Sequence, residues 1–152
     1  MNRMMAIIAC VALVTGCCMD KTGRDKLRCV LWEAGEQNEM SQVDSLAAVS
    51  LQLLAKSDDQ LRLLVTPEMI ASIKASDTAL EVVFPDSVTT RTSPGAQDRI
   101  TRILIPLSGE YGPPPELSSA VIFFGTETYF TGPSQNNFAR PELLRLLELL
   151  KH

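Results

Sequence analysis

The sequence predicts an α+β domain: N-terminal helices, a three-stranded antiparallel meander and a C-terminal amphipathic helix. Three observations carry that expectation. Apolar residues recur every three or four positions over residues 41–56 and again over 67–73. From about residue 79 the chain changes to β-branched and aromatic runs separated by Pro and Gly. A leucine stripe then closes the chain, so that helices and strands are segregated along it rather than alternating.

Each element has its own justification. Met40, Val43, Ala47, Leu51 and Leu54 fall on one face of a helix over residues 41–56. Ser57 with Gln60 three positions on has the form of a capping box, followed by Leu61, Leu64 and Val65. Thr66-Pro67-Glu68 supplies a cap, a proline for the first helical position and an acid for the positive helix end, and Met69, Ile70 and Ile73 give that helix its apolar side. Residues 27–34 fit helix or strand equally. Leu80 to Phe84 reads as the first strand, interrupted by Pro85-Asp86-Ser87, and residues 93–98 have turn chemistry. The second strand, 99–107, places Ile103, Ile105 and Leu107 on one face and Arg102 and Leu104 on the other, with Pro106 demoting its end to an edge or bulge. Residues 108–119, with three consecutive prolines, form a stiff loop. The third strand runs over 120–130, with Gly125 marking a bulge or close approach. Pro141-Glu142 opens the last helix, whose stripe is Leu143, Leu146, Leu147 and Leu150. A larger sheet in which 27–33 and 88–92 are also strands is the alternative.

The N-terminus is an address. Arg3 precedes an almost wholly apolar run over residues 4–14 and the small residues Thr15-Gly16, the layout of an export signal, and the run falls short of the roughly 20 residues a spanning helix needs. Val14-Thr15-Gly16-Cys17 resembles the lipobox of bacterial lipoprotein precursors. The resemblance implies cleavage before Cys17, a diacylglyceryl group on its thiol, an acylated (palmitate) amino group and a membrane partner held through that lipid. Two or three acyl chains, at about 0.8 kcal/mol per buried CH₂, make a firm anchor. Residues 1–16 are then a cleaved signal peptide, 17–26 a lipidated flexible tether reaching roughly 15–18 Å, and 27–152 a single domain. In enterobacterial sorting a residue other than Asp after the lipidated cysteine looks like an outer-membrane address, facing the periplasm, and here that residue is Cys18. Cell envelope is therefore the expected location. Cys18 and Cys29 either form a disulfide, which such a compartment permits, or Cys29 is a small buried hydrophobe.

Charge and composition narrow the chemistry. A net charge of -4 without clustered Lys or Arg argues against nucleic acid as partner. The one histidine is the terminal residue, His152, and neither a zinc-type Cys/His set nor a Gly-rich phosphate loop occurs, so no cofactor, metal or nucleophilic triad is expected. The carboxylates Asp58, Asp59, Glu110, Glu116 and Glu127 read as acidic surface; an envelope hydrolase using a pair of them is the alternative. Six of the eight aromatic residues fall between 111 and 138, interleaved with Gly, Pro and amides. Tyr111, Phe124, Tyr129, Phe130, Gln135, Asn136 and Phe138 are the candidate binding patch, because rigid aromatic surface rimmed by amides suits recognition. The expected function is a lipid-anchored, non-enzymatic binding module of inhibitor, immunity or assembly-accessory type, with a protein or envelope polymer as partner. A purely structural lipoprotein is the remaining possibility.

Overall fold

A computed structural model of the protein describes residues 26–152; the signal segment, Cys17 and Cys18 lie outside the described residues. The first strand, β1 (Arg28–Glu33), turns back through Ala34 and Gly35, both at positive φ, into β2 (Glu36–Glu39). Helix α1 (Val43–Ala55) follows, then the two-residue strand β3 (Asp59–Gln60) and helix α2 (Pro67–Ser76). A long hairpin comes next, β4 (Thr78–Ser93) and β5 (Ala96–Pro106). The chain ends with β6 (Ala120–Gly125), β7 (Ser134–Asn136) and α3 (Arg140–Leu149).

These strands form one seven-stranded antiparallel sheet in the order β2-β1-β4-β5-β6-β7-β3, which corrects the expected helical N-terminal half and three-stranded meander. Three differences account for the correction. Residues 27–34, left open between helix and strand, pair along β4 from Arg28↔Val83 to Glu33↔Thr78, and the fully exposed β2 pairs in turn with β1. Residues 57–65 are not a helix. The buried Ser57 hydroxyl turns back to the Leu53 carbonyl of α1 at 3.5 Å instead of capping forward, and Asp59 and Gln60 pair with Gln135 and Ser134. Pro85 does not end the strand before it: the register with β5 shifts between Val83 and Val88, so the proline sits in a bulge where no ladder N–H is needed, and β4 continues to residue 93.

The expected helices at 41–56, 67–73 and after Pro141 are present as α1, α2 and α3. Thr66 caps α2 by accepting from the Met69 N–H at 3.2 Å, with Pro67 in the first turn. At its other end, the Lys74 carbonyl takes the Gly35 N–H at 2.9 Å and the Asp77 carbonyl takes that of Ala34 at 3.2 Å, so the β1–β2 turn satisfies carbonyls that a helix end leaves open. The β4–β5 turn carries Pro94 followed by Gly95 at φ +78°, the residue order of a type II turn.

The two sheet faces are covered unequally. On one, α1 and α3 close over Leu80, Val82, Phe84, Ile100, Ile103, Ile105, Ile122 and Phe124, with Leu46, Val49, Leu53, Leu143 and Leu146 supplied by the helices. Cys29 belongs to this core: its thiol donates to the Val43 carbonyl at 3.6 Å, and burial, followed by the Asp44 charge, pushes its pKa up to about 12. On the other face, α2 lays Ile70 and Ile73 against Ala79, Leu104 and Phe123, with Trp32, Tyr111, Val121 and Tyr129 packed around them. Among the described residues no helix is long and apolar enough to cross a membrane.

Candidate functional site

Alternation along the strands decides what the α2 face presents. Trp32, Glu81, Arg102, Leu104 and Phe123 point to it, while their neighbours Leu80, Val82, Ile103 and Phe124 point to the α1 side. Glu81 is thereby a carboxylate embedded in an apolar sheet, only 6% exposed. A buried charge requires partners, and Glu81 has them on every side. Lys74 of α2 donates to both its oxygens at 2.8 and 2.7 Å, the Tyr129 hydroxyl donates at 2.6 Å and the Trp32 indole N–H at 3.0 Å. The Lys74 ammonium also stands 4.8 Å from the Trp32 ring centroid and 5.9 Å from that of Tyr129.

The electrostatics follow from this geometry. Burial is the largest influence on Glu81 and disfavours its charge. The Lys74 and Tyr129 hydrogen bonds, the Lys74 charge and the Trp32 N–H together outweigh it and hold the carboxyl below the ordinary range. Tyr129 is pushed the opposite way, well above the usual phenol value, by burial first and then by the adjacent Glu81 charge and hydrogen bond. At neutral pH the group is an ionised carboxylate, an ammonium and a neutral phenol, each already committed to the others.

Two members of this network, Lys74 and Tyr129, line a cleft of about 350 Å³. Pro67, Ile70 and Lys74, three and four residues apart, line it from one face of α2, with Val65 and Thr66 at the helix entry. Arg102 of β5 and residues 127–129 line the opposite side. The 127–129 segment is held there by a close approach. The expected strand over 120–130 ends at Gly125, Thr126 N–H reaches the Thr128 carbonyl at 3.0 Å, and Phe130 N–H returns to the Phe124 carbonyl at 2.8 Å. A Cβ on Gly125 would lie 1.9 Å from the Thr128 oxygen, so only glycine admits this return.

The candidate aromatic patch is distributed over both faces. Tyr129 lies in the cleft, and Tyr111 packs edge-on against Phe123 on the same face at 5.6 Å between centroids. Phe124 and Phe130 pair edge-on at 5.8 Å against the α1 core. Asn136 is buried, donating to the Leu53 carbonyl at 3.0 Å and accepting from the Phe138 N–H at 2.9 Å, while the half-buried Gln135 donates to Asn137 at 3.0 Å. Phe138 is 77% exposed and borders a second, more open depression with Glu116, Ser118, Asn137, Arg140 and Pro141. Of the carboxylates singled out in the sequence, Glu127 alone lines the cleft; Asp58 takes the Asn137 backbone N–H at 2.8 Å, and Glu116 borders the second depression. Among the described residues no group of three or more His, Cys, Asp or Glu side chains is placed to hold a metal ion.

Sequence reasoning missed Lys74, Glu81, Trp32 and Arg102 as members of a site. The available signal was the lone charge in Leu80-Glu81-Val82-Val83-Phe84, since a carboxylate inside such a strand must find partners on its own face. Compared with known protein families, curated proteins and solved structures, the chain matches none.

Proposed function

We propose that this chain is a lipid-anchored binding module of the cell envelope, held to the membrane through Cys17 and taking a small ligand in the cleft between α2 and residues 127–129. The observation that carries the binding part is the cleft itself, a concave site of about 350 Å³ with an apolar α2 wall and with Lys74 and Tyr129 in its lining, both held from behind by Glu81. Ligand pockets have this composition, mostly apolar with a few fixed polar groups, at volumes from roughly 300 Å³ upward. The Glu81 network supports a positioning role: an ionised carboxylate saturated by three donors and a phenol held neutral make a rigid base for recognition rather than a proton relay. The lipobox resemblance at 14–17 supports the anchor.

The reading is tested in two parts. Intact mass of the membrane-extracted protein is expected to show a chain beginning at a diacylated Cys17; a chain beginning at unmodified Met1 removes the anchor. For the cleft, the single tryptophan, Trp32, is tied to the lining through Glu81 and is the reporter. Titration with small aryl and branched-chain compounds is expected to change its fluorescence saturably in the wild type and not in Thr128→Phe, which fills the exposed rim. Responses equal in both proteins would place binding elsewhere.

A further inference from the structure

We infer that the ligand of this cleft carries a carboxylate, and that Arg102 is the residue that takes it. The inference rests on the cleft being a binding site, and it concerns the one cation there that the protein's own groups do not use. Lys74 is tied to both oxygens of Glu81. Arg102 makes no salt bridge among the described residues, and its Nε is buried without a hydrogen-bond partner there. That Nε–H, without accessible surface, is out of a ligand's reach, but the terminal nitrogens of the same guanidinium form no hydrogen bond among the described residues either, and they are the donors that Arg102 offers to the cleft it lines.

Geometry and charge agree. The Arg102 guanidinium carbon stands 5.8 Å from the Tyr129 ring centroid, an approach that steadies the planar group beside the cleft. Arg102 is not the counterion of Glu81, whose carboxylate is balanced by Lys74. The positive end of α2, at Thr66 and Pro67, lines the same space and adds to the field felt by an anion. Every charged group facing the cleft is then accounted for except Glu127, which is exposed, lines the rim and forms no ion pair with Arg102. Glu127 opposes an incoming anion and sets a sign for one variant. The apolar wall of Val65, Pro67 and Ile70 accommodates an aryl or branched alkyl body behind the acid. A planar carboxylate matches the two-pronged Arg fork, and a cleft of about 350 Å³ admits one small acid or the last residue of a peptide with its terminal carboxylate.

The test uses the full lipidated chain in non-ionic detergent and isothermal titration with 3-phenylpropionate and its neutral amide at pH 7. The acid is expected to bind and the amide to bind at least about tenfold more weakly, the scale of one charge-assisted bond. Arg102→Met is expected to erase that preference, Arg102→Lys to keep part of it, and Glu127→Gln to tighten the acid. Arg102→Met must retain the wild-type circular dichroism and the Trp32 emission; Arg102→Gln, which also removes the charge but keeps a polar end, serves the same comparison if Arg102→Met fails to fold. Acid and amide binding equally to the wild type, or an acid preference that survives Arg102→Met, would overturn the assignment while leaving the cleft as a binding site. Failure of both probes to bind would overturn the cleft reading and this inference together. An acetylated dipeptide ending in phenylalanine, with a free or an amidated terminus, separates the two sources of the carboxylate. Binding of the free form tighter than 3-phenylpropionate indicates a peptide terminus and weaker binding a free acid, and either result supports the inference.

Discussion

The two faces of the sheet differ in how completely they are closed. Beneath α1 and α3 the core is continuous and apolar, with Leu46, Leu53, Ile103, Ile105, Ile122, Leu143 and Leu146 fully buried. Beneath α2 the apolar cluster is small, Ile70, Ile73, Ala79, Leu104 and Phe123, and gives way to Glu81, Lys74, Arg102 and a cleft. One sheet thus separates a side sealed by a continuous core from a side that opens into a cleft. Because successive residues of each strand alternate between them, Val82 and Glu81, or Ile103 and Arg102, face the two sides from adjacent positions.

The largest expected effect tests the closed side. Leu53→Ala removes a fully buried side chain from α1 where its neighbours, locked between two helices and the sheet, have little room to collapse, and a loss of roughly 2–5 kcal/mol follows. Ile70→Ala, on the α2 side, opens into a cleft and is expected to cost about 2 kcal/mol, at the low end of that range. Urea denaturation of both variants measures the contrast. Equal losses would mean that the α2 face is as tightly packed as the other, contrary to the cleft.

The next effect tests the network. Glu81→Leu leaves Lys74 without its counterion and the Tyr129 and Trp32 donors without an acceptor. With Lys74 20% exposed, the expected loss is roughly 2–3 kcal/mol, below that of a fully enclosed pair. Glu81→Gln isolates the charge and carries a pH signature. The folded pKa of Glu81 lies below its unfolded value of about 4.3, so its charge contributes stability above that value and the contribution is lost as pH falls through the folded pKa. Urea midpoints at pH 7 and pH 3 are expected to differ more for the wild type than for Glu81→Gln. An identical acid dependence in the two proteins would show that Glu81 is not held ionised by its donors.

These features were unevenly legible in the sequence. The helices were readable because burial follows periodicity: α3 shows its leucines at three and four, and Thr66-Pro67 announces the start of α2. The face of α1, by contrast, was read off-centre, with Leu46, Val49 and Leu53 fully buried beside the expected Ala47 and Leu54, and Met40, Val43 and Leu51 only partly so. The β1–β2 hairpin was not, because β2 is Glu-Gln-Asn-Glu, exposed throughout and without an apolar residue to alternate. The false capping box at Ser57 shows tertiary pairing overriding a local signal, since Leu64, counted there as apolar face, is 69% exposed. The candidate site was hardest, because residues 32, 74, 81, 102 and 129 meet only through the register of β1, β4 and β5 and the return after Gly125. An aromatic count found Tyr129 but could not tell it from Phe130, one position on and on the opposite face.

The smallest effect sharpens the comparison most, because it asks whether the network on the open side is one unit. Tyr129→Phe keeps the ring against Arg102 and Lys74 and removes only the hydroxyl that donates to Glu81 at 2.6 Å. The expected loss at pH 7 is about 1 kcal/mol, the net worth of one hydrogen bond. Losing one donor also lets burial pull the Glu81 pKa back toward the ordinary value, so the acid-side loss of stability is expected to begin at higher pH than in the wild type. Urea midpoints between pH 3 and pH 6 follow that limb directly. If it moves, the phenol is bound into the charge network and only the ring of Tyr129 is left to face the cleft. If it stays in place, Lys74 and Trp32 suffice to hold the carboxylate, and the Tyr129 hydroxyl is free to turn toward the cleft.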